Sequence, residues 1–346
     1  MEYLDVQKSP FRKRTDIFFL TVRTMKVSVA LCTYNGEKYV REQILSIASQ
    51  SQSVDEVVIC DDGSVDSTIR IIESLRPECP FPIRLFLNEH SLGVVSNFAK
   101  AISICSGDIV FLSDQDDVWS RDKVKTIVDW FSMNPEKSVV FTDAELIDDN
   151  GCVIPDSEGL FNAVGFGKRV RRHFDYMALD IFVRYNRATG ATMAVRKSFF
   201  DDFSIHTDYA GSTLPLHDAQ IAYAAICNGG LGFICDKLIS YRIHSSQECG
   251  LGSYVKNPRK DSIYNMFYAD GCLTIPEIED KLDFLKRKAL FRVSPFGAEV
   301  LKHLKEYIGH YGQHWMPFFA YDYLHAFKGS LKALCSKSLC RRMKVR

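Results

Sequence analysis

The chain has 346 residues, 46% of them hydrophobic, enough for one large domain with an appendage or for two domains with a sizeable core. Lys plus Arg and Asp plus Glu each number 43, a balance that lacks the electrostatic footprint of a nucleic-acid binder. No apolar run approaches the roughly 20 residues of a membrane span. The eleven cysteines include no Cys-x-x-Cys pair, and Cys32, Cys60, Cys105 and Cys227 sit inside apolar runs. That usage fits reduced, buried thiols of a cytosolic protein better than a disulfide framework or a zinc site.

Residues 1–24 stand apart from the rest of the chain. Arg12, Lys13 and Arg14 precede a short apolar run without a small-residue cleavage site, and Met25 stands directly before the first convincing strand. The expectation is an extension outside the fold. From Val27 the pattern is regular. Val27 to Cys32 reads as a strand, followed by the turn Thr33-Tyr34-Asn35-Gly36 and a helix over 37–50. Glu56 to Cys60 is the next strand and ends in Asp61-Asp62-Gly63-Ser64, after which Asp66 or Ser67 caps a helix. Ile83 to Leu87 is a third strand, with a helix after it over about 93–105.

Ile109 to Leu112 is a short buried strand that stops at Ser113-Asp114-Gln115-Asp116-Asp117. Three carboxylates within four residues repel one another unless a positive charge joins them. A hard divalent cation is one neutraliser. The other reading is a solvated acidic turn with Asp117 or Ser120 capping the next helix. That helix carries Val124, Ile127, Val128 and Phe131 at the spacing of one face, and Val139 to Thr142 is a fifth strand.

Alternating strands and helices predict an α/β fold with a mostly parallel sheet and helices on both faces. Ligands of such sheets bind beyond the carboxyl ends of the strands. The three polar turns at 33–36, 61–64 and 113–117 therefore meet at one edge. A Gly-x-Gly-x-x-Gly or Gly-Lys-Ser/Thr phosphate loop is absent, which argues against a dinucleotide fold or a P-loop enzyme.

Residues 150–185 carry Gly159, Gly165, Gly167 and the basic cluster Lys168, Arg169, Arg171 and Arg172; they read as a substrate-facing insertion or a solvated loop. Thr189 to Arg196 reads as a strand entered through Gly190. His217-Asp218 begins a helix with Ile221, Ala222, Ala225 and Ile226 on its buried face, and Gly229-Gly230 ends it. Two short strands over 231–235 and 238–243 come next, then His244. Beyond about 255 come helical runs, an aromatic-rich stretch from Trp315 to Phe327, and a basic tail after Phe327. That end has the make-up of a peripheral contact with anionic lipid, and equally that of a helical cap with a frayed tail.

Taken in order, Thr33-Tyr34-Asn35-Gly36, Asp61-Asp62-Gly63-Ser64 and Ser113-Asp114-Gln115-Asp116-Asp117-Val118-Trp119 resemble the family-2 glycosyltransferases of the GT-A fold, from about residue 26 to 250. The last of these motifs is most similar to the bacterial rhamnosyltransferase-like subset of surface-polysaccharide assembly. The resemblance implies a GT-A domain over 25–250 and a helical C-terminal region over 251–346. It implies that Thr33, Asn35, Asp61 and Asp62 bind the nucleotide and that Asn97 lies along the nucleotide sugar. Asp114 and Asp116 match the family's Asp-x-Asp, which holds Mg2+ or Mn2+ on the diphosphate, with Asp116 the first choice for the direct ligand. Asp218 falls where the family has its catalytic base, and Arg242 or His244 falls near the diphosphate or metal. Two departures stand out: Ser245-Ser246-Gln247 follows His244, and Ala219 rather than Trp follows Asp218.

The implied substrates are a UDP- or dTDP-linked sugar and a glycan or lipid-linked glycan acceptor. One base, one metal and a single displacement imply inversion at the anomeric carbon, by the logic that governs inverting glycosidases. Three other readings compete. A nucleotidyltransferase would need a Gly-rich basic loop after the first strand. A nucleotide-sugar-binding scaffold would bind without turnover. A phospho-receiver domain would be far shorter. Single residues have plain alternatives too. Asp218 reads otherwise as an N-cap, Asp61-Asp62-Gly63 as an Asx-type turn, His244 as a half-buried histidine, and Trp119 as core.

Overall fold

The computed structural model describes residues 25–172, 174, 186–205, 207, 216–247 and 251. The expectations for residues 1–24 and for the C-terminal helices and basic tail lie outside the described residues. Among the described residues eight strands form one sheet, in the order β3-β2-β1-β4-β7-β6-β8-β5.

The first half follows the alternation read from the sequence. Strands β1 (Val27–Thr33), β2 (Glu56–Asp61), β3 (Ile83–Leu87) and β4 (Ile109–Ser113) are parallel neighbours. Every residue of β2 and β4 is buried, as a strand covered on both faces requires. Between them run α1 (Val40–Ala48), α2 (Thr68–Leu75) and α3 (Val94–Ile104). α1 turns Val40, Ile44 and Ile47 inward, and α3 turns Phe98, Ala101 and Ile102 inward. Beyond β4 lie the short β5 (Val118–Trp119) and α4 (Lys123–Met133). Val124, Ile127, Val128 and Phe131 of α4 are all buried, as their spacing predicts.

The second half is less regular. β6 (Val139–Ile147) is more than twice as long as the stretch 139–142 suggested. After it come α5 (Leu160–Ala163) and α6 (Lys168–Arg172), then a single 3-10 turn over Gly190–Thr192 and the short β7 (Ala194–Arg196). β7 runs antiparallel to both β4 and β6, so the sheet is mixed. α7 (His217–Cys227) leads into β8 (Leu231–Arg242), one 12-residue strand where two short ones were expected. β8 pairs parallel with β6, and the register slips between Thr142 and Ala144. The slip lets the strand bend without ending, while Cys235, Asp236 and Lys237 stay exposed in its middle.

The parallel strands end at Thr33, Asp61, Leu87 and Ser113 on one rim. β8 returns past the same rim, because β5 pairs antiparallel with it through Val118–Ser240 and Trp119–Ile239. The acidic turn before β5 is thereby pinned against the end of β8.

Candidate active site

The turns at the rim hold one another through side chain to backbone bonds. Thr33 Oγ1 donates to Asp61 Oδ2 at 2.7 Å, across a register pair of β1 and β2. Asp61 also accepts from the Gly63 and Ser64 backbone N–H groups and from the Ser64 hydroxyl. Its four acceptor positions are then filled, and it lies outside the cavity lining. Asp61 therefore shapes the turn from behind. Asn35 takes a left-handed conformation (φ 46°) and accepts from the Val65 N–H at 2.9 Å, which ties the first turn to the second.

Asp62 performs the same office for the loop that follows β3. It accepts from Asn88 Nδ2, Ser91 Oγ, and the Leu92 and Gly93 N–H groups, all within 2.9 Å. These bonds hold its carboxyl below the usual carboxylate range against the opposing effect of burial. Asn97 donates to Cys60 O and accepts from Asn88, so α3 is fixed against the end of β2.

Gln115 clasps the acidic turn to the first one. Its amide accepts from Tyr34 N–H and donates to Tyr34 O, both at 2.9 Å. A Cβ on Gly36 would stand 2.1 Å from Gln115 Oε1, so this approach needs glycine at position 36.

The three carboxylates of the acidic turn separate in role. Asp117 is buried, and its Oδ1 accepts from Arg242 N–H at 2.9 Å. It ties the turn to β8 and does not line the cavity. It is not a helix cap: the residue preceding α4 is Asp122, whose side chain makes no capping bond. Asp114 and Asp116 line the cavity. Burial, then the charges of Asp116 and Asp218, push the Asp114 carboxyl up to about 7. Asp116 Oδ2 lies 2.8 Å from His244 Nε2, and His244 Nδ1 lies 2.8 Å from Ser246 Oγ.

Part of the positive charge comes from within. Lys123 is fully buried, its Nζ donating to Ala191 O at 2.9 Å and lying 4.2 Å from the Trp119 ring centroid. Burial lowers it to about 7, opposed by the charges of Asp117 and Asp114. Trp119 itself is 4% exposed and belongs to the core. Arg242 is a clamp that does not reach the cavity. Its Nε donates to Asp116 O at 2.7 Å, its Nη2 pairs with Glu42 at 2.6 Å, and its guanidinium lies 4.8 Å from the Tyr39 ring centroid. It positions Asp116 through the backbone.

Asp218, which also lines the cavity, is the second residue of α7, and the cap position is Leu216. Asp218 Oδ2 accepts from Gly190 N–H at 3.1 Å and Oδ1 from Ala219 N–H at 2.6 Å. Burial nevertheless dominates and pushes its carboxyl up to about 6. A carboxylate held in this way can accept a proton near neutral pH.

All of this surrounds one cavity of about 650 Å3. Thr33, Asn35, Asp62, Asn97, Asp114, Asp116, Asp218 and His244 line it, so eight of the sequence-predicted residues come together, and Asp61 and Arg242 support them from outside. Tyr34, Lys38, Gln115 and His217 also line it and were not singled out. Tyr34, Gln115 and His217 lie inside stretches quoted from the sequence and Lys38 beside one, which is their only signal. Among the described residues no three His, Cys, Asp or Glu side chains converge closely enough to enclose a metal ion.

Residues 28–197 match the family described as Glycosyl transferase family 2. Over that segment the chain is similar to the family-2 glycosyltransferases. Relatives span more of it. A dTDP-rhamnosyl transferase, RfbG of Shigella flexneri, is 27% identical over 249 residues, covering 69% of this chain and 80% of that one. An uncharacterized glycosyltransferase of Haemophilus influenzae is 24% identical over 234 residues, 67% of this chain and 69% of the other. Among solved structures, that of S. aureus TarS 1-349 in complex with UDP-GlcNAc is similar at a TM-score of 0.49, with 20% identity, over 76% of this chain and 72% of that one. The mixed sheet with helices on both faces is the GT-A-like architecture that the motifs led us to expect.

Proposed function

We propose that the chain moves a sugar, with rhamnose the first candidate, from a UDP- or dTDP-linked donor to a hydroxyl of a surface-polysaccharide or lipid-linked glycan, with inversion. One observation carries the reading: Asp218 and the Asp116–His244 pair line the same cavity from different elements. Likeness to the Shigella enzyme over most of its length supports rhamnose as the sugar.

In this reading Asp62, Thr33 and Asn35 shape the end that takes the nucleotide. Asp116 and His244, with Asp114 beside them, would hold Mg2+ or Mn2+. Two protein donors suit a hard ion that keeps waters and takes phosphate oxygens, rather than one enclosed by protein. Such an ion would offset charge on the departing diphosphate. Asp218 takes the proton of the acceptor hydroxyl as it attacks the anomeric carbon, and its raised proton affinity suits that task.

A panel assay tests the proposal. Purified protein is supplied with UDP-, dTDP- and GDP-sugars, Mg2+ or Mn2+, and a lipid-linked glycan, and release of nucleoside diphosphate is measured. Metal-dependent release that Asp218→Asn abolishes supports the transferase. Binding without release from any donor leaves a nucleotide-sugar-binding scaffold, and pyrophosphate formation from a sugar phosphate and a nucleoside triphosphate leaves a nucleotidyltransferase.

A further inference from the structure

His217 opens α7 directly before Asp218, and the proposed chemistry gives it no task. It is 5% exposed, lines the cavity, and stacks on Phe98 of α3 with ring centroids 3.9 Å apart and planes 17° apart. Neither ring nitrogen has a hydrogen-bond partner among the described residues. Buried polar side chains are almost always paired, since an unmade hydrogen bond costs the full desolvation of the group. A histidine serving only as core would find one partner, and a phenylalanine would stack on Phe98 at lower cost.

Two further features bear on what pairs with it. Burial lowers the imidazole to about 3, so the ring is neutral at physiological pH and offers one N–H donor and one acceptor. Gly190 faces it: a Cβ there would stand 3.0 Å from His217 Nε2 and 3.4 Å from Asp218 Cβ. Glycine thus leaves room beside both residues. Val94, Phe98, Leu160 and Val164 line the same cavity, so apolar surface shares it with this donor–acceptor pair. Sugars present that combination, with C–H faces and hydroxyls that each donate and accept. α3 carries Asn97, and Gly93 at its start bonds Asp62, so the helix on which His217 stacks also borders those two residues.

We propose that His217 is a sugar-binding residue: its imidazole hydrogen-bonds hydroxyls of the transferred sugar and so reads the sugar part of the donor, not the nucleotide. The inference rests on the transferase reading above.

Calorimetry on the full chain with Mn2+ tests it, with UDP, dTDP, UDP-glucose, UDP-N-acetylglucosamine and dTDP-rhamnose titrated into wild type, His217→Phe and His217→Gln. The readout is affinity for the nucleotide sugar relative to its bare nucleotide. The expectation for His217→Phe is unchanged nucleotide affinity and a loss of about tenfold in the sugar increment, the worth of one or two neutral hydrogen bonds. His217→Gln, which keeps a donor and an acceptor, recovers part of it. The ligand-free melting temperature of His217→Phe holds or rises, since the variant removes unpaired buried nitrogens and keeps the stack on Phe98. Nucleotide uptake with an unaltered sugar increment in His217→Phe overturns the inference alone. So does a lowered melting temperature without any change in relative affinity, which marks a core residue. Failure of the wild-type chain to take up any nucleotide overturns the transferase reading, and this inference with it.

Discussion

Asp116 and His244 meet at 2.8 Å, Oδ2 to Nε2, although 128 positions separate them in sequence. The meeting follows from the pairing of β5 with β8, which brings the end of β8 to the acidic turn, and from Arg242, whose backbone N–H and guanidinium grip that turn from behind. In the proposed reading these two side chains face the cation and the diphosphate. Asp116→Asn is expected to weaken nucleotide binding in Mn2+ by about 10- to 100-fold, with His244→Ala at the lower end of that range. Titration calorimetry measures both. Equal binding by wild type and Asp116→Asn would remove Asp116 from the ligand set.

Asp218 predicts a pH limb. Its carboxyl is raised to about 6, mainly by burial, so it is protonated and unable to act as a base at acid pH. Turnover should rise with pH through about 6 and level off above it, and Asp218→Asn should lose the limb along with about 100-fold or more of the rate. The stability effect has the opposite sign. A native value above the unfolded 3.8 means that the native state binds the proton more tightly, so this group's contribution falls as pH rises from 3.8 to about 6. Above that window its charge costs about 3 kcal/mol. Asp218→Asn should therefore melt no lower than wild type at pH 8 while being nearly inactive, which circular dichroism and the donor assay can read together.

Gln115 and Gly36 form one device. Gly36→Ala would force the Gln115 amide off Tyr34, and Gln115→Ala removes it directly. Each change should cost about 1–2 kcal/mol by denaturant unfolding. The double variant should cost about as much as the worse single, since both lose the same contact. Full additivity would show that the glycine serves another purpose.

The opposite end of the parallel strands offers a control that does not touch the cavity. Glu56 accepts from Ser28 Oγ and from the N–H and hydroxyl of Ser106, and its other oxygen pairs with Arg84 at 2.8 Å. Burial raises its carboxyl, but the bonds prevail and bring it down to about 2. The native value lies below the unfolded 4.5, so the stabilisation is full above 4.5 and fades as pH falls to about 2. Glu56→Gln should cost about 3 kcal/mol at pH 7, with little change in nucleotide affinity. The gap between variant and wild type should close on acidification, as melting curves at several pH values would show.

How much of this could be read from the sequence depended on what marked each part. β1, β2 and β4 are apolar runs that stop at Thr33, Asp61 and Ser113, and a buried parallel strand ending at a polar turn leaves both marks. β8 reads as two strands in the sequence because exposed Asp236 and Lys237 interrupt its apolar run, while backbone pairing with β6 continues through the slipped register. β7 is three residues long and carries too little pattern to show its antiparallel direction. Within the site, the sequence places residues in turns but not the direction of side chains. Asp61 and Asp62 are neighbours with the same chemistry, yet only Asp62 lines the cavity. Lys123 falls among the charged positions of an amphipathic helix, where a solvated lysine is the ordinary expectation; its burial beneath the acidic turn comes from the tertiary packing of Trp119 and Ala191.

In the proposed function the rim turns jointly bind a cation-associated nucleoside diphosphate. Calorimetric titration of UDP and of dTDP into the intact chain, with Mn2+ and again with EDTA, tests it most directly. Uptake of at least one of the two is expected at a single site per chain, lost or strongly weakened when the cation is chelated. No uptake of either nucleotide with Mn2+ present, or uptake indifferent to EDTA, would contradict it.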